Sequence, residues 1–423
     1  MHIHKVIFSN FYSFADEAEI DFTSSEKKAS NLSDDCCGQY VNRINGIFGA
    51  NGSGKTSALK AIAFIDFFVH SSFKAANEDE DIAMSTHELH KNEPSSFTIE
   101  YSEDEYLYKY DFTIHKGRLL NESYKYINPK TNKFNTIYKR TIEDGLSKMT
   151  CPSPSLMPQN YNIFNLDNSS LSSFIFEAEK NEILEKDFPI FFKGIDAFRK
   201  LQTNVSEAGK KENLRTSLFG ISRAAKEENS IILKLLEKVL KNIDLGIESL
   251  EIQSLIVLDG NKQKRRDLIF AEHKDAEGNS FTLPIFEEST GTQKILSALW
   301  HLIPVLVAGG TAVYDELDSD LHPYLMPFIV DLFMNPDFNI AKGQLIFSGH
   351  TIEALKELNK SQIFFVEKSN LRSDIYRADE IEGLRADHSI SNKYLKGALG
   401  GVPEIDASSI SIYEIIDEIT TEE

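Results

Sequence analysis

Inward-facing positions along this chain change period several times, and the changes divide it. In residues 2 to 22 they alternate: His4, Val6 and Phe8, then Ala18, Ile20 and Phe22. Period two predicts two strands, joined by a turn at Asn10-Phe11-Tyr12-Ser13-Phe14. Residues 24 to 38 are small and polar and predict a loop. Residues 40 to 48 predict a strand ending on Ile47 and Phe48. The period then turns helical at Ala58, Leu59, Ile62, Ala63 and Phe67. After an acidic, polar excursion at 77 to 93, alternation returns from Ser96 to Thr141. Phe97, Ile99 and Tyr101 carry it first, then Tyr106, Tyr108 and Tyr110, then Tyr124 and Tyr126, and Ile137 and Tyr138 close the run. Gly117, Asn128-Pro129 and Asn132 punctuate it, so antiparallel hairpins are predicted. The tyrosines could stack nucleic-acid bases, but strand packing is the favoured reading.

Residues 152 to 170 are rich in Pro, Asn and Ser and predict a linker. From Ser172 to Leu245 the texture is helical. Ile231, Leu235, Val239 and Ile243 share one face, Gly246 is placed to end that helix, and Pro189 breaks an earlier one. The charged stretch 207 to 229 reads as an exposed helix or a loop. Residues 247 to 286 return to strands, with turns at Gly260-Asn261 and Gly278-Asn279. A long apolar helix follows through Leu296, Leu299, Trp300 and Ile303, ended by Gly309-Gly310. Thr311–Tyr314 and Gln344–Phe347 read as two further strands. No seven-residue repeat persists long enough for an extended coiled coil.

The 423 residues suffice for two or three structural units. No apolar run reaches membrane-spanning length and the start lacks a signal-peptide core, so a cytoplasmic protein without membrane contact is expected. The net charge of −20 argues against a broad nucleic-acid surface. A local basic groove remains open: Lys262, Lys264, Arg265 and Arg266 cluster at one turn, where a solvated hairpin tip is the safer reading. Cys36, Cys37 and Cys151 have neither a disulfide framework nor metal spacing and read as reduced thiols.

The chemistry concentrates at Gly49-Ala50-Asn51-Gly52-Ser53-Gly54-Lys55-Thr56, a complete phosphate loop between a predicted strand and a predicted helix. Its glycines let backbone N–H groups close around an anion at a helix N-terminus. Lys55 is expected to reach the β- and γ-phosphates of ATP, and the Thr56 hydroxyl to hold Mg²⁺. Later, Glu288-Ser289-Thr290-Gly291-Thr292-Gln293 opens the long apolar helix. Thr311–Tyr314 delivers Asp315-Glu316, a Walker B arrangement. Asp315 is expected to hold Mg²⁺ through water and Glu316 to orient the attacking water. The strand at 344–347 delivers Ser348-Gly349-His350, and His350 could contact the γ-phosphate.

This order resembles the ABC-type ATPases: Walker A, signature, Walker B with a following D-loop, and a switch histidine. The resemblance implies two heads meeting head-to-tail, with Ser289 and Gly291 of one completing the site of the other. Glu288 and Thr290 depart from the common Leu-Ser-Gly-Gly-Gln signature. Gln159 is the candidate for the Q-loop. The long interval from Thr56 to Ser289 resembles the recombination and structural-maintenance branch. Within it the chain is most similar to the OLD-like "AAA family ATPases" of bacteria. Residues 10–14, 288–292, Asp315-Glu316-Leu317-Asp318 with His322-Pro323, Phe364–Lys368, Tyr394–Gly397 and Gly400–Pro403 carry that similarity.

The implied fold class is α/β: an ABC-type P-loop head with a β-rich lobe and an inserted helical subdomain. The expected bounds are 1–165 and 247–423 for the two halves of the head and 166–246 for the helices. The family implies an ATP hydrolase, slow or regulated, acting as sensor and switch in anti-phage defence. A phage-derived trigger and a toxic effector, expected to be a nuclease, come with it. The stretch after His350 is short for a fused TOPRIM nuclease, so the effector is expected on a separate polypeptide. The second reading is a DNA-repair ATPase binding DNA directly, which the acidity disfavours; a nucleotide-gated scaffold with negligible turnover is the third.

Overall fold

A computed structural model describes residues 1–24, 38–76, 80–128, 131–143, 145–159, 166–206, 214–227, 231–243, 246–259, 262–384 and 390–402. Two sheets organise them. The first has seven antiparallel strands, in the order Leu146–Thr150, Lys133–Glu143, Arg118–Asn128, Tyr106–His115, Ser95–Glu103, His2–Ser9 and Ala18–Asp21. Phe8 sits opposite both Ala18 and Phe97, so the N-terminal hairpin and the hairpin lobe form one continuous sheet. Tyr101, Tyr108, Tyr110, Tyr124 and Tyr138 are fully buried between this sheet and the helices that cover it. Strand packing, not base stacking, is their role.

The second sheet has six strands in the order Leu201–Thr203, Thr311–Tyr314, Gln344–Gly349, Ile44–Gly49, Ile363–Ser369 and Arg372–Arg377. The first five run parallel and the last antiparallel. Both faces are covered, as a parallel sheet requires. Val313, Ile346, Phe364 and Val366 face the helix Lys55–Asp66 and the antiparallel sheet. Ala312, Leu345, Phe347, Ile363 and Phe365 face a second core with the helices Thr290–Ala308 and Leu325–Met334. The phosphate-loop strand is thus central, next to the strand that ends at Gly349.

Three expectations change in detail. The strand expected at 40–48 is broken: Tyr40–Val41 pairs with Thr23–Ser24, and the loop strand starts only at Ile44. At the break, the Asn42 N–H donates to the Phe22 carbonyl at 3.0 Å, while the Arg43 carbonyl accepts from the Leu345 N–H at 2.7 Å. The chain changes sheets there. The helical stretch after 171 contains a strand, Leu201–Thr203, which extends the parallel sheet beside Thr311–Val313. Its helices also divide. Leu171 to Phe198 pack on the tyrosine side, whereas Leu218, Ile221, Leu236 and Leu240 join the core of the helix Thr290–Ala308. Pro189 does not merely end one helix; it opens the next, where its missing N–H costs nothing.

The stretch 207–229 contains the helix Leu214–Glu227. Gly309 ends the helix Thr290–Ala308 with φ of 83°. Gly260-Asn261, Cys36 and Cys37 lie outside the described residues. Among the described residues, no helix is long and apolar enough to cross a membrane.

Candidate nucleotide site

The loop strand ends at Gly49, and the chain turns through Gly52 (φ 74°) and Gly54 (φ 122°) into the helix Lys55–Asp66. Gly54 is required twice over. Its φ is unfavourable to any side chain, and a Cβ there would lie 2.6 Å from the Ser373 hydroxyl and 2.9 Å from that of Ser13. Ser373 donates its hydroxyl to the Ser53 carbonyl, and its N–H donates to the Ser13 carbonyl at 2.8 Å. The turn at 10–14 and the hairpin 363–377 therefore brace the loop from behind. Lys55 is nearly buried, and its ammonium donates to the carbonyls of Gly49 (2.8 Å) and Ala50 (3.0 Å). The hydroxyls of Ser13 and Ser53 are buried without a hydrogen-bond partner.

Thr56 donates its hydroxyl to one oxygen of Asp315 at 2.9 Å, and Ser348 donates to the other. Asn204 clamps the Asp315 backbone from both sides: its amide nitrogen donates to the Asp315 carbonyl at 3.0 Å, and its oxygen accepts the Asp315 N–H at 2.7 Å. Glu316 follows with φ of 51°, in the left-handed region, and its N–H donates to the Ser348 hydroxyl at 2.8 Å. Such a backbone costs on the order of 1–3 kcal/mol and persists only where neighbours enforce it. Asp318 accepts the N–H groups of His350 (2.6 Å) and Thr351, and the Thr351 hydroxyl. That carboxylate fixes the loop bearing His350. Burial, then the charge of Lys55, lowers the His350 pKa below the ordinary imidazole value. Its ring is neutral at pH 7, able to donate at one nitrogen and accept at the other.

One cleft of about 620 Å³ brings Asn51, Gly52, Gly54, Lys55 and Thr56 together with Glu316 and His350. Ser53 lies beneath it and Asp315 is reached through Thr56. Ser289 and Gly291 are elsewhere. Ser289 caps the helix Thr290–Ala308 by accepting the Thr292 N–H at 3.1 Å, and a Cβ on Gly291 would stand 3.1 Å from the Asp320 carbonyl. Lys294 on the same helix pairs with Asp320 at 2.5 Å and donates to Ser319 at 2.9 Å. The segment expected to be the signature is thus attached to residues 319–320 of its own chain, with Ser289 and Thr290 exposed, and does not line the cleft. Gln159 does not line it either; its amide donates to the Met157 carbonyl at 2.9 Å.

Several site residues escape a sequence reading. Asn204 sits in a stretch of helical texture, and only the fold places it against Asp315. Ser348 directly precedes Gly349-His350, but only the fold brings its hydroxyl to Asp315. Ser13 lies in a segment recognised by similarity, without a physical reason.

The donor set suits a nucleotide triphosphate with Mg²⁺. Among the described residues, no group of three or more His, Cys, Asp or Glu gathers as a resident metal site. Thr56 and Asp315 offer two hard oxygens. Mg²⁺ is commonly bound in this way, through one or two protein oxygens plus phosphates and water. The buried Lys55 charge and the two orphan hydroxyls fit an anionic ligand.

The fold and the site define an ATPase head of the ABC type. Residues 44–355 match the family described as "AAA domain, putative AbiEii toxin, Type IV TA system", and the chain belongs to that family. No curated protein matches it in sequence. Similar solved structures include an SmcHead bound to the C-winged helix domain of ScpA. It is 14% identical, with 89% of this chain and 97% of that chain covered at a TM-score of 0.47. An Smc head domain with an extended coiled coil, derived from Pyrococcus furiosus and bound to the C-terminal domain of ScpA, is 14% identical, covering 89% and 96% at 0.44. An Smc head with a coiled coil and joint, derived from Pyrococcus yayanosii, is 11% identical, covering 94% and 99% at 0.43.

Proposed function

We propose that two copies of this chain pair head-to-tail around ATP, hydrolyse it, and use that cycle as the switch of an anti-phage defence system. The observation that carries the reading is the meeting of Lys55, Thr56, Glu316 and His350 in one cleft, with Asp315 bonded to Thr56. The Lys55 ammonium exchanges the carbonyls of Gly49 and Ala50 for phosphate oxygens. Backbone N–H groups from Asn51 to Thr56 surround the phosphates. Mg²⁺, held by Thr56 and through water by Asp315, would supply charge for the phosphate oxygens. Glu316 orients water in line with the γ-phosphate and draws on its proton. His350, neutral, donates to a γ-phosphate oxygen. Ser289 and Gly291 of the second copy supply a further hydroxyl and N–H from the start of a helix.

The trans arrangement is supported by the exposed signature end, which takes no part in its own chain's cleft. The defence role is supported by the family description, which names the AbiEii toxin and a type IV toxin–antitoxin system. The OLD-like resemblance points the same way: a phage-derived trigger, a separate effector that is expected to be a nuclease, and action in the cytoplasm. The DNA-repair reading draws less support. Of its basic cluster, Arg265 donates to Ser254 at 3.1 Å and Arg266 lies over the Phe219 ring at 5.3 Å.

The test joins chemistry to biology. ATP turnover is measured first. Phage plating is then compared for cells carrying the chain alone, with its neighbouring reading frame, and with the Glu316→Gln variant in that pair. Protection that needs both partners and the intact glutamate is the expected result. Tight, salt-steep DNA binding without a protein partner would instead favour repair.

A further inference from the structure

The phosphate loop has its ligand chemistry; the same cleft is also lined by a wall of a different kind. Three segments far apart in sequence build it: Tyr12 and Ser13, the strap from Ser85 to Leu89, and the hairpin tip at Leu371. They are fastened to one another. The Tyr12 N–H donates to the Ser85 carbonyl at 2.9 Å, and the His87 N–H donates to the Asn10 side-chain oxygen at 3.0 Å. The His87 ring meets the Leu371 carbonyl at 3.1 Å.

Leu371 is the unexpected residue. Ser369 pairs with Arg372, so Asn370 and Leu371 form a two-residue hairpin turn, with φ of 48° and 66°. Turns of this geometry favour Asn-Gly, because a side chain at the second position crowds the backbone. Here a leucine takes the glycine's place, and the residue is 67% exposed. Leu89, on the strap, is 60% exposed on the same cleft. The fold tolerates both an unfavourable backbone and exposed apolar surface. Two such leucines line, with Tyr12, the cleft that the phosphate loop also lines, and they suit something flat and apolar attached to a phosphate chain.

We infer that Leu89, Leu371 and Tyr12 form the seat of the nucleotide base. The inference rests on the reading of the phosphate loop as an ATP site, and it adds the residues that hold the base. Tyr12 is held in place from the phosphate side, since the Lys60 ammonium on the loop helix lies 4.0 Å from its ring centre. The seat works by contact and burial of apolar surface.

Leu371→Gly is the discriminating variant. It removes the side chain and relaxes the turn, so the fold is kept. Binding of ATP and of inorganic tripolyphosphate is measured by calorimetry, for the parent, Leu371→Gly, Leu89→Ala and Lys55→Ala. The expected result is ATP affinity weakened about tenfold in each leucine variant, with tripolyphosphate affinity unchanged. ATP affinity equal to the parent's in both leucine variants, or an equal loss for ATP and tripolyphosphate, overturns the seat. Lys55→Ala separates the two readings: if it leaves both ligands binding normally, the phosphate-loop reading fails first. If it abolishes both while the leucine variants bind like the parent, only the base seat fails.

Discussion

Two regions of this molecule bury polar groups, and they do so to opposite ends. In the antiparallel lobe, Glu122 and Arg140 are fully buried and paired at 2.9 Å. Tyr110 and Tyr138 donate to Glu122, Tyr138 also meets Ser172 at 2.8 Å, and the Leu171 N–H donates to the same carboxylate at 3.0 Å. Tyr101 bonds Tyr124 and the Gly194 carbonyl. Burial drives these phenols well above their ordinary pKa, so they stay neutral donors. Every one of these side chains finds a partner inside the chain. Around the phosphate loop, by contrast, two serine hydroxyls are buried without partners, an ammonium is held by carbonyls, and Glu316 stands on a left-handed backbone. Polarity satisfied within the chain builds structure. Polarity held ready, at a cost in backbone energy, waits for a ligand.

That contrast can be broken by substitutions on either side. Lys55→Ala has the largest expected effect. ATP affinity should fall at least about a hundredfold, about 2.7 kcal/mol, because a charge-assisted grip on phosphate is lost. Lys55 is nearly buried and holds two loop carbonyls, so folding stability should fall too, but only by about 1–3 kcal/mol. Calorimetric titration and thermal melts read the two arms. Glu316→Gln comes next: ATP binding is retained while turnover falls about 10²–10⁴-fold, since the amide cannot take a proton. Steady-state phosphate release checks it.

Arg140→Met should give the reverse profile. Removing one partner of a buried pair costs about 3–5 kcal/mol of stability, seen as an earlier denaturant midpoint. The ATP affinity of the folded protein should hold. If Arg140→Met abolished binding without loosening the fold, the division between the regions would be wrong.

The smallest effect is one of pH. His4 is buried and His2 half-buried, and loss of hydration lowers the pKa of His2 from 6.5 to about 3 and that of His4 to about 4. Below 6.5 the unfolded chain takes up protons that the folded chain refuses, so the unfolded state gains. Stability should therefore be complete above about pH 6.5 and decline as pH falls towards 4. His4 meets Gln39 and Ser102 at 3.0 and 2.9 Å, so His4→Gln keeps some hydrogen bonding without the titration. The gap between denaturant midpoints at pH 7 and pH 5 should narrow in that variant and close only when His2 is replaced as well.

Much of this was legible in the sequence, for physical reasons. Eight contiguous residues specify a phosphate loop because backbone geometry and charge must coincide there. Phe97 to Tyr138 announce hairpins because one face of each strand meets a core. The parallel sheet gave less, since strands covered on both faces, such as Leu345-Ile346-Phe347, lose their alternation. Leu201–Thr203 is too short to produce a pattern. Asn204 and the wall made by Tyr12, Leu89 and Leu371 depend on contacts between segments far apart in sequence, and local pattern carries no trace of those.

The central claim is that the site is completed by a second copy. Mixing two inactive variants tests it most directly. Lys55→Ala subunits lack the phosphate grip but keep the signature; Gly291→Arg subunits keep the grip but carry a bulky side chain beside the Asp320 carbonyl. Exchange of subunits is first established with differently labelled chains. A mixed pair then holds one composite site with both defects and one with neither, so ATP turnover should return to a fraction of the parental rate. Gly291→Arg protein that hydrolyses ATP at the parental rate by itself, or a fully exchanged mixture with no recovered turnover, would contradict the account.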